Sequence, residues 1–177
     1  MCGIVGAIAQ RNISSILVEG LKRLEYRGYD SSGVAILNEQ GLQRTRRVGK
    51  VASLDAALTA QPLDGTLGIA HTRWATHGIP NETNAHPHWS HSSLAVVHNG
   101  IIDNFELIKA DLIATGYGFE SDTDTEVIAH LIHRNRKQGM SLTDAVRAAA
   151  GHCEGAYALG VIDETEPDLL LAARKGS

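Results

Sequence analysis

The sequence predicts an α+β domain in which helices lie in layers on β-sheet. Three observations carry this. Short apolar runs with strand character stand at both ends of the chain, at Ile4–Ala9 and again at Ala156–Ile162 and Leu169–Ala173. Stretches with apolar residues at helical spacing are grouped mainly between them. The 177 residues are enough for one domain with a real core, and no repeat, low-complexity tract or linker divides them.

The elements follow in order. Ile4–Ala9 reads as a buried strand. Asn12 can cap a helix whose apolar face is Ile13, Ile16, Leu17, Leu21 and Leu24. A turn-rich loop, Arg27 to Gly33, leads to a strand near Val34–Leu37, and Gly41 marks a hairpin turn into a second strand near Leu42–Val48. A short helix is predicted around Ser53–Ala60, then buried strands at Leu67–Ala70 and Leu94–Val97. The segment between those two strands is long, polar and rich in His, Thr and Asn, and its Trp, Arg and His content argues for function over disorder. Phe105, Ile108 and Leu112 mark a helix ended by Gly116. Thr123 and Glu126 form a capping box for the next, which runs to Gly139, and Ser141 with Asp144 caps a third. Periodicity does not say how many sheets there are.

Composition excludes several functions. The chain is 43% hydrophobic and 20% charged with a net charge of −4, and the Arg44, Arg46, Arg47, Lys50 cluster fits one strand and turn, so nucleic acid is not an expected partner. No stretch reaches the roughly 20 apolar residues of a membrane span, and Ile4–Ala9 is too short for a signal peptide. Two cysteines make no disulfide framework, which points to a reducing cytoplasm.

Cys2 is the foremost candidate for chemistry. With Met1 removed, its thiol and a free α-amine share one residue, and an amine with a pKa of about 7.7–8.0 can take the thiol proton near neutral pH. An acylated Cys2 nitrogen cannot do so, and the chain as given retains Met1. Cys153 has no such setting and reads as a packing residue. Acyl transfer also needs donors for a developing oxyanion. His98-Asn99-Gly100 follows a buried strand, so the Asn99 side chain and the Gly100 N–H could both face one pocket; Asn-Gly also reads as a hairpin turn, although a helix begins too soon afterwards for a simple one. After another strand comes His71 to Gly78. Arg73 there could grip a carboxylate with its planar fork, or pair with a structural one, and Trp74 could wall or gate a pocket, or be core. Asp122-Thr123-Asp124 lies at a helix start and could cap it, bind a divalent metal or hold an ammonium. His71, His77, His86, His88, His91 and His98 crowd one stretch, but without tight zinc-ligand spacing.

These pieces together resemble the class II glutamine amidotransferases, whose glutaminase domains are N-terminal nucleophile hydrolases. Met1 to Gly6 looks like their amino terminus. Leu24 to Ser31, His71 to Gly78, Asn84 to His88, His98 to Ile101 and Ser121 to Glu126 narrow the similarity to the glutaminase domains of the glutamine–fructose-6-phosphate aminotransferases, also called glucosamine-6-phosphate synthases. The resemblance runs the whole length, residues 1–177. It implies a four-layer α/β/β/α sandwich. It implies that Cys2 attacks the side-chain amide of glutamine and forms a glutamyl thioester, that Asn99 and Gly100 form the oxyanion hole, and that Arg73 binds the α-carboxylate with Thr76 and His77 in the same pocket. Asp124 would hold the α-ammonium, Trp74 would gate an ammonia channel, and Arg27, Gly28, Tyr29 and Asp30 would form a loop beside the nucleophile. No metal or organic cofactor is implied.

The family's synthases are longer. The resemblance therefore implies that the chain is a piece whose glutaminase domain continues beyond Ser177, leaving edge strands exposed, and that a sugar-phosphate isomerase domain acting on fructose 6-phosphate, in a homo-oligomer, is its partner. Amidophosphoribosyltransferases and glutamate synthases share Cys2, Arg73, Asn99 and Asp124. A non-catalytic binding module of the same fold is the reading from a different class, and retention of Cys2 with both oxyanion donors argues against it. A metal-binding protein using the histidine stretch is a third.

Overall fold

The computed structural model describes residues 2–74 and 78–176. Two four-stranded antiparallel sheets stack face to face, with helices on each outer face. The first sheet contains β1 (Gly3–Ile8), β2 (Ser31–Asn38), β3 (Gly41–Val48) and β4 (Leu67–Arg73), in the order β1-β4-β2-β3. The second contains β5 (His88–Ser90), β6 (Leu94–Gly100), β7 (Tyr157–Asp163) and β8 (Leu171–Lys175), in the order β5-β6-β7-β8. Helices α1 (Ser14–Leu24) and α2 (Val51–Ala60) cover the first sheet. Helices α3 (Phe105–Ala114), α4 (Thr125–Lys137) and α5 (Leu142–His152) cover the second. This is the four-layer α/β/β/α sandwich.

Three apolar clusters correspond to the three interfaces between layers. Ile13, Leu17 and Leu21 of the α1 segment pack with Val34, Ile36 and Ala70 on the outer face of the first sheet. Ala35, Leu37, Leu67 and Ile69 meet Ala95, Val97 and Ile162 between the sheets. Leu94, Val96, Leu159 and Val161 meet Val127, Ile128 and Leu131 under α4. Successive side chains of a strand point to opposite faces, so each of these strands contributes to two clusters at once.

That alternation aims the functional residues. On β4 the inter-sheet face continues from Leu67 and Ile69 to His71 and Arg73. On β6 it continues from Ala95 and Val97 to Asn99, while His98 shares the helix-facing row with Leu94 and Val96. On β1, Ile4 faces between the sheets, so Cys2, two residues earlier, starts on the same side.

The helices and most strands lie where periodicity puts them; the caps differ in detail. Ile13, not Asn12, occupies the cap position of α1, although Asn12 Oδ1 still accepts the Ser14 N–H at 3.1 Å. Ser141 caps α5 by accepting the Asp144 N–H at 3.1 Å. The predicted Thr123/Glu126 box does not form. The cap position of α4 is Asp124, without a side-chain bond to the helix, and Glu126 instead accepts the N–H groups of Glu120 (2.9 Å) and Ser121 (2.7 Å) from the preceding chain. The Asn99-Gly100 turn reading is also overturned. Both residues are still in β6, paired with Ala158 and Tyr157 of β7.

Candidate active site

Cys2, Arg73, Trp74, Asn99, Gly100 and Asp124 line one cavity of about 310 Å³, open at one end of the sheet stack. They come from positions 2 to 124, and the strand ends bring them together. Thr76 and His77 lie outside the described residues.

The Cys2 sulfur accepts the Trp74 backbone N–H at 3.2 Å, a bond between the start of β1 and the end of β4, its antiparallel neighbour. Burial pushes the Cys2 thiol above its usual range, and the Trp74 N–H offsets part of that. The thiol is therefore largely protonated at neutral pH and needs a base to become a nucleophile. Trp74 is about half exposed at the cavity mouth, so it is not a core residue. Cys153 is buried, and burial pushes its thiol up to about 11.

Asn99 bridges the sheets. Its Nδ2 donates to the Cys2 carbonyl at 2.9 Å, and its Oδ1 lies 2.8 Å from His71 Nε2. An amide NH2 has two protons; with one engaged by Cys2, the other is available to the cavity. Gly100 has φ +128°, and a Cβ there would lie 2.2 Å from the Ala156 carbonyl oxygen, so only glycine fits beside the cavity.

Arg73 is 4% exposed. Its guanidinium lies 3.5 Å from Asp30 Oδ1 and donates to the Gly78 carbonyl at 3.1 Å, an arrangement that keeps the fork oriented at the site. Asp30 is in turn tied to β4 through its N–H, which donates to the Arg73 carbonyl at 3.0 Å. This is how the loop before β2 supports the site. Gly28 takes φ +73° after a single 3-10 turn, Glu25–Arg27, and the Tyr29 hydroxyl turns back to the Leu24 carbonyl. None of Gly28, Tyr29 and Asp30 lines the cavity, and the Arg27 side chain is outside the described residues.

Asp124 is 3% exposed. Its Oδ2 accepts the Ile102 N–H at 2.8 Å, and its Oδ1 lies 3.9 Å from His98 Nδ1. Asp122 instead meets the Asn84 amide at 3.2 Å, so the two aspartates do not converge on one ion.

Sequence reasoning did not assign roles to the histidines that form the cavity floor. His71, His86 and His98 are buried there, with His86 stacked on His71 at 4.1 Å between ring centroids. Burial pushes His71 down to about 3 and His86 and His88 well below the usual histidine range. Among the described residues no three His, Cys, Asp or Glu side chains are grouped to hold a metal ion. The available signal was strand alternation, which buries His71 on the inter-sheet face and His98 on the helix-facing side.

A protein-family model described as a glutamine amidotransferase domain matches residues 71–175, more than half of the chain. The chain belongs to the glutamine amidotransferase family. Full-length matches within it include the glutamine–fructose-6-phosphate aminotransferase (isomerizing) of Pseudomonas putida, 61% identical, and that of Acinetobacter baylyi, 60% identical, each over 100% of this chain. The chain spans 29% of the length of either relative. Among solved structures, a glutamine phosphoribosylpyrophosphate amidotransferase from B. subtilis has a TM-score of 0.82 over 99% of this chain and 37% of its own, at 26% identity. A second solved structure, described as the allosteric regulatory enzyme of purine biosynthesis, has a TM-score of 0.79 over 93% of this chain and 36% of its own, at 28% identity. The sandwich is thus the glutamine amidotransferase fold, of N-terminal nucleophile hydrolase type. Among the described residues no helix is long and apolar enough to cross a membrane.

Proposed function

We propose that this chain is the glutaminase domain of a glutamine–fructose-6-phosphate aminotransferase, hydrolysing glutamine to glutamate and ammonia. One observation carries the reading: the thiol at position 2 shares a small cavity with the Asn99 amide and the Arg73 guanidinium. With Met1 removed, the Cys2 α-amine takes the thiol proton, and the sulfur attacks the glutamine side-chain carbonyl. The oxyanion accepts hydrogen bonds from the second Asn99 Nδ2 proton and the Gly100 N–H. The ammonium of the α-amine returns its proton to the leaving nitrogen, the C–N bond breaks, and ammonia departs from a glutamyl thioester. Water then cleaves the C–S bond, giving glutamate and the free thiol. Arg73 binds the substrate α-carboxylate, with Thr76 and His77 beside it, and Asp124 holds the α-ammonium; Trp74 closes the mouth.

Sequence identity supports fructose 6-phosphate as the acceptor. Relatives named for fructose 6-phosphate are 60–61% identical, whereas the phosphoribosylpyrophosphate enzyme shares the fold at 26%. In this reading the ammonia acceptor site is on a sugar-phosphate isomerase domain outside residues 1–177, in a cytoplasmic homo-oligomer, and the glutaminase domain itself extends past Ser177. The test is intact mass plus glutamate release by the Met-free protein, beside Cys2→Ala. Glutamate release that Cys2→Ala abolishes is expected. A folded, Met-free wild type no faster than Cys2→Ala overturns the reading.

A further inference from the structure

Asn99 can serve as an oxyanion donor in only one orientation of its side-chain amide. Rotated by half a turn, it would present an oxygen to the Cys2 carbonyl and to the cavity, and both contacts would repel. The two ends of an amide are nearly equal in size, so packing does not choose between them; hydrogen bonds do. Two groups make the choice, the Cys2 carbonyl on one side and His71 on the other. Asn99 Nδ2 donates to the Cys2 carbonyl at 2.9 Å, so Oδ1 is left facing His71 Nε2 at 2.8 Å and can only accept. His71 Nε2 must then carry a proton.

The surroundings hold the ring neutral and in place. His71 is fully buried on the inter-sheet face of β4, and burial keeps its ring neutral at neutral pH. His86 stacks on it with the ring planes 23° apart, which restricts rotation. The His86 ring is itself held: its Nδ1 accepts the His98 N–H at 3.3 Å, which leaves Nε2 to donate to Thr125 Oγ1 at 3.2 Å. Thr125 is the first residue of α4, so the histidine stack is anchored to the helix layer.

We propose that His71 is a positioning residue for glutamine hydrolysis, whose Nε2–H locks the Asn99 amide with its N–H groups toward Cys2 and the cavity before substrate arrives. The proposal rests on the glutaminase reading, and its first test is independent of activity. In the Met-free protein with 15N-labelled histidine, long-range 1H–15N spectra near pH 7 should give His71, assigned by its loss in His71→Gln, the pattern of an Nε2–H imidazole. An Nδ1–H pattern overturns the proposal, whether or not the protein releases glutamate.

The second test reads kinetics. Leu fills the space without a donor, while Gln can place an amide N–H where Nε2 lies. His71→Leu should lower kcat roughly tenfold to a hundredfold with KM within about twofold, because the lost interaction acts in the transition state. His71→Gln should recover kcat to within about threefold of wild type, since it restores the donor. In an Asn99→Ala background, His71→Leu should add nothing, because two residues acting through one donor are not additive. Unchanged kcat in His71→Leu, equal losses in the Leu and Gln variants, or full additivity with Asn99→Ala each overturn the proposal. If His71→Leu does not fold, the tautomer and the Gln variant decide it.

Discussion

Asn99 of β6 donates its side-chain N–H to the carbonyl of Cys2 at 2.9 Å, joining positions 97 apart, one in the second sheet and the other just before β1 of the first. The nucleophile and the proposed oxyanion donor are thereby held in one geometry by the stacking of the two sheets. Replacing Asn99 by Ala should cut kcat for glutamate release by about 10²–10³, some 3–4 kcal/mol, with a small effect on KM. Steady-state kinetics on folded protein check this; a KM effect alone would show that Asn99 only binds substrate.

Arg73 should be intolerant even of lysine. Its guanidinium is oriented by Asp30 and the Gly78 carbonyl, and an ammonium lacks the planar fork that pairs with a carboxylate. Arg73→Lys is expected to raise KM for glutamine about tenfold to a hundredfold while kcat falls less. Glutamine analogues lacking the α-carboxylate should show little difference between wild type and variant; a uniform loss across substrates would count against the assignment.

Gly100→Ala should damage both fold and activity. Its φ of +128° suits glycine, and the added methyl would meet the Ala156 carbonyl oxygen at 2.2 Å. A loss of about 3 kcal/mol in urea unfolding is expected, together with loss of glutamate release. Near-wild-type stability would mean that β6 and β7 separate here at little cost.

Acid should destabilise the fold well before carboxylates are fully titrated. His71, pushed down to about 3, and His86 and His88, held well below the usual histidine range by burial, stay neutral when folded but protonate near 6.5 when unfolded. The unfolded chain thus binds more protons as pH drops, so stability is complete above about 6.5 and falls below it by about 1.4 kcal/mol per pH unit for each histidine. Glu126 adds to this at lower pH. Burial opposes its ionisation, but His130, the Glu120 and Ser121 N–H groups and the Ser121 hydroxyl outweigh burial and hold it at about 2, so its contribution is lost as pH falls from about 4.5 toward 2. Denaturant unfolding at pH 7, 6 and 5 tests the sign; a flat profile would falsify the buried-neutral assignment.

Thiol labelling should be selective. Cys153 is buried with its thiol held up to about 11, whereas Cys2 opens onto the cavity. Native protein should take up one equivalent of iodoacetamide, blocked by Cys2→Ser and unaffected by Cys153→Ala. Two fast-reacting thiols would contradict the burial of Cys153.

The sequence by itself determined most of the elements and the candidates for the chemistry. Among the described residues, helical spacing and cap residues located the five helices and apolar runs seven of the eight strands, while position 2 marked Cys2 and the ends of apolar strands marked Arg73 and Asn99 as candidate reactive groups. The three-residue β5 was not legible, because His88-Trp89-Ser90 is too short and polar to show a period; it exists by pairing with β6. The Thr123/Glu126 pattern misled because a carboxylate near a helix start bonds whichever N–H groups the fold presents, and here these belong to Glu120 and Ser121. Only the tertiary structure decided that β1 lies beside β4, that Asn99 faces Cys2 across the sheets, and that His71 stands behind Asn99. The physical reason is range. Period and propensity act over a few residues, whereas register between strands, and the packing of one sheet on another, depends on partners that can lie more than a hundred residues away, as Ile4 and Ile162 do.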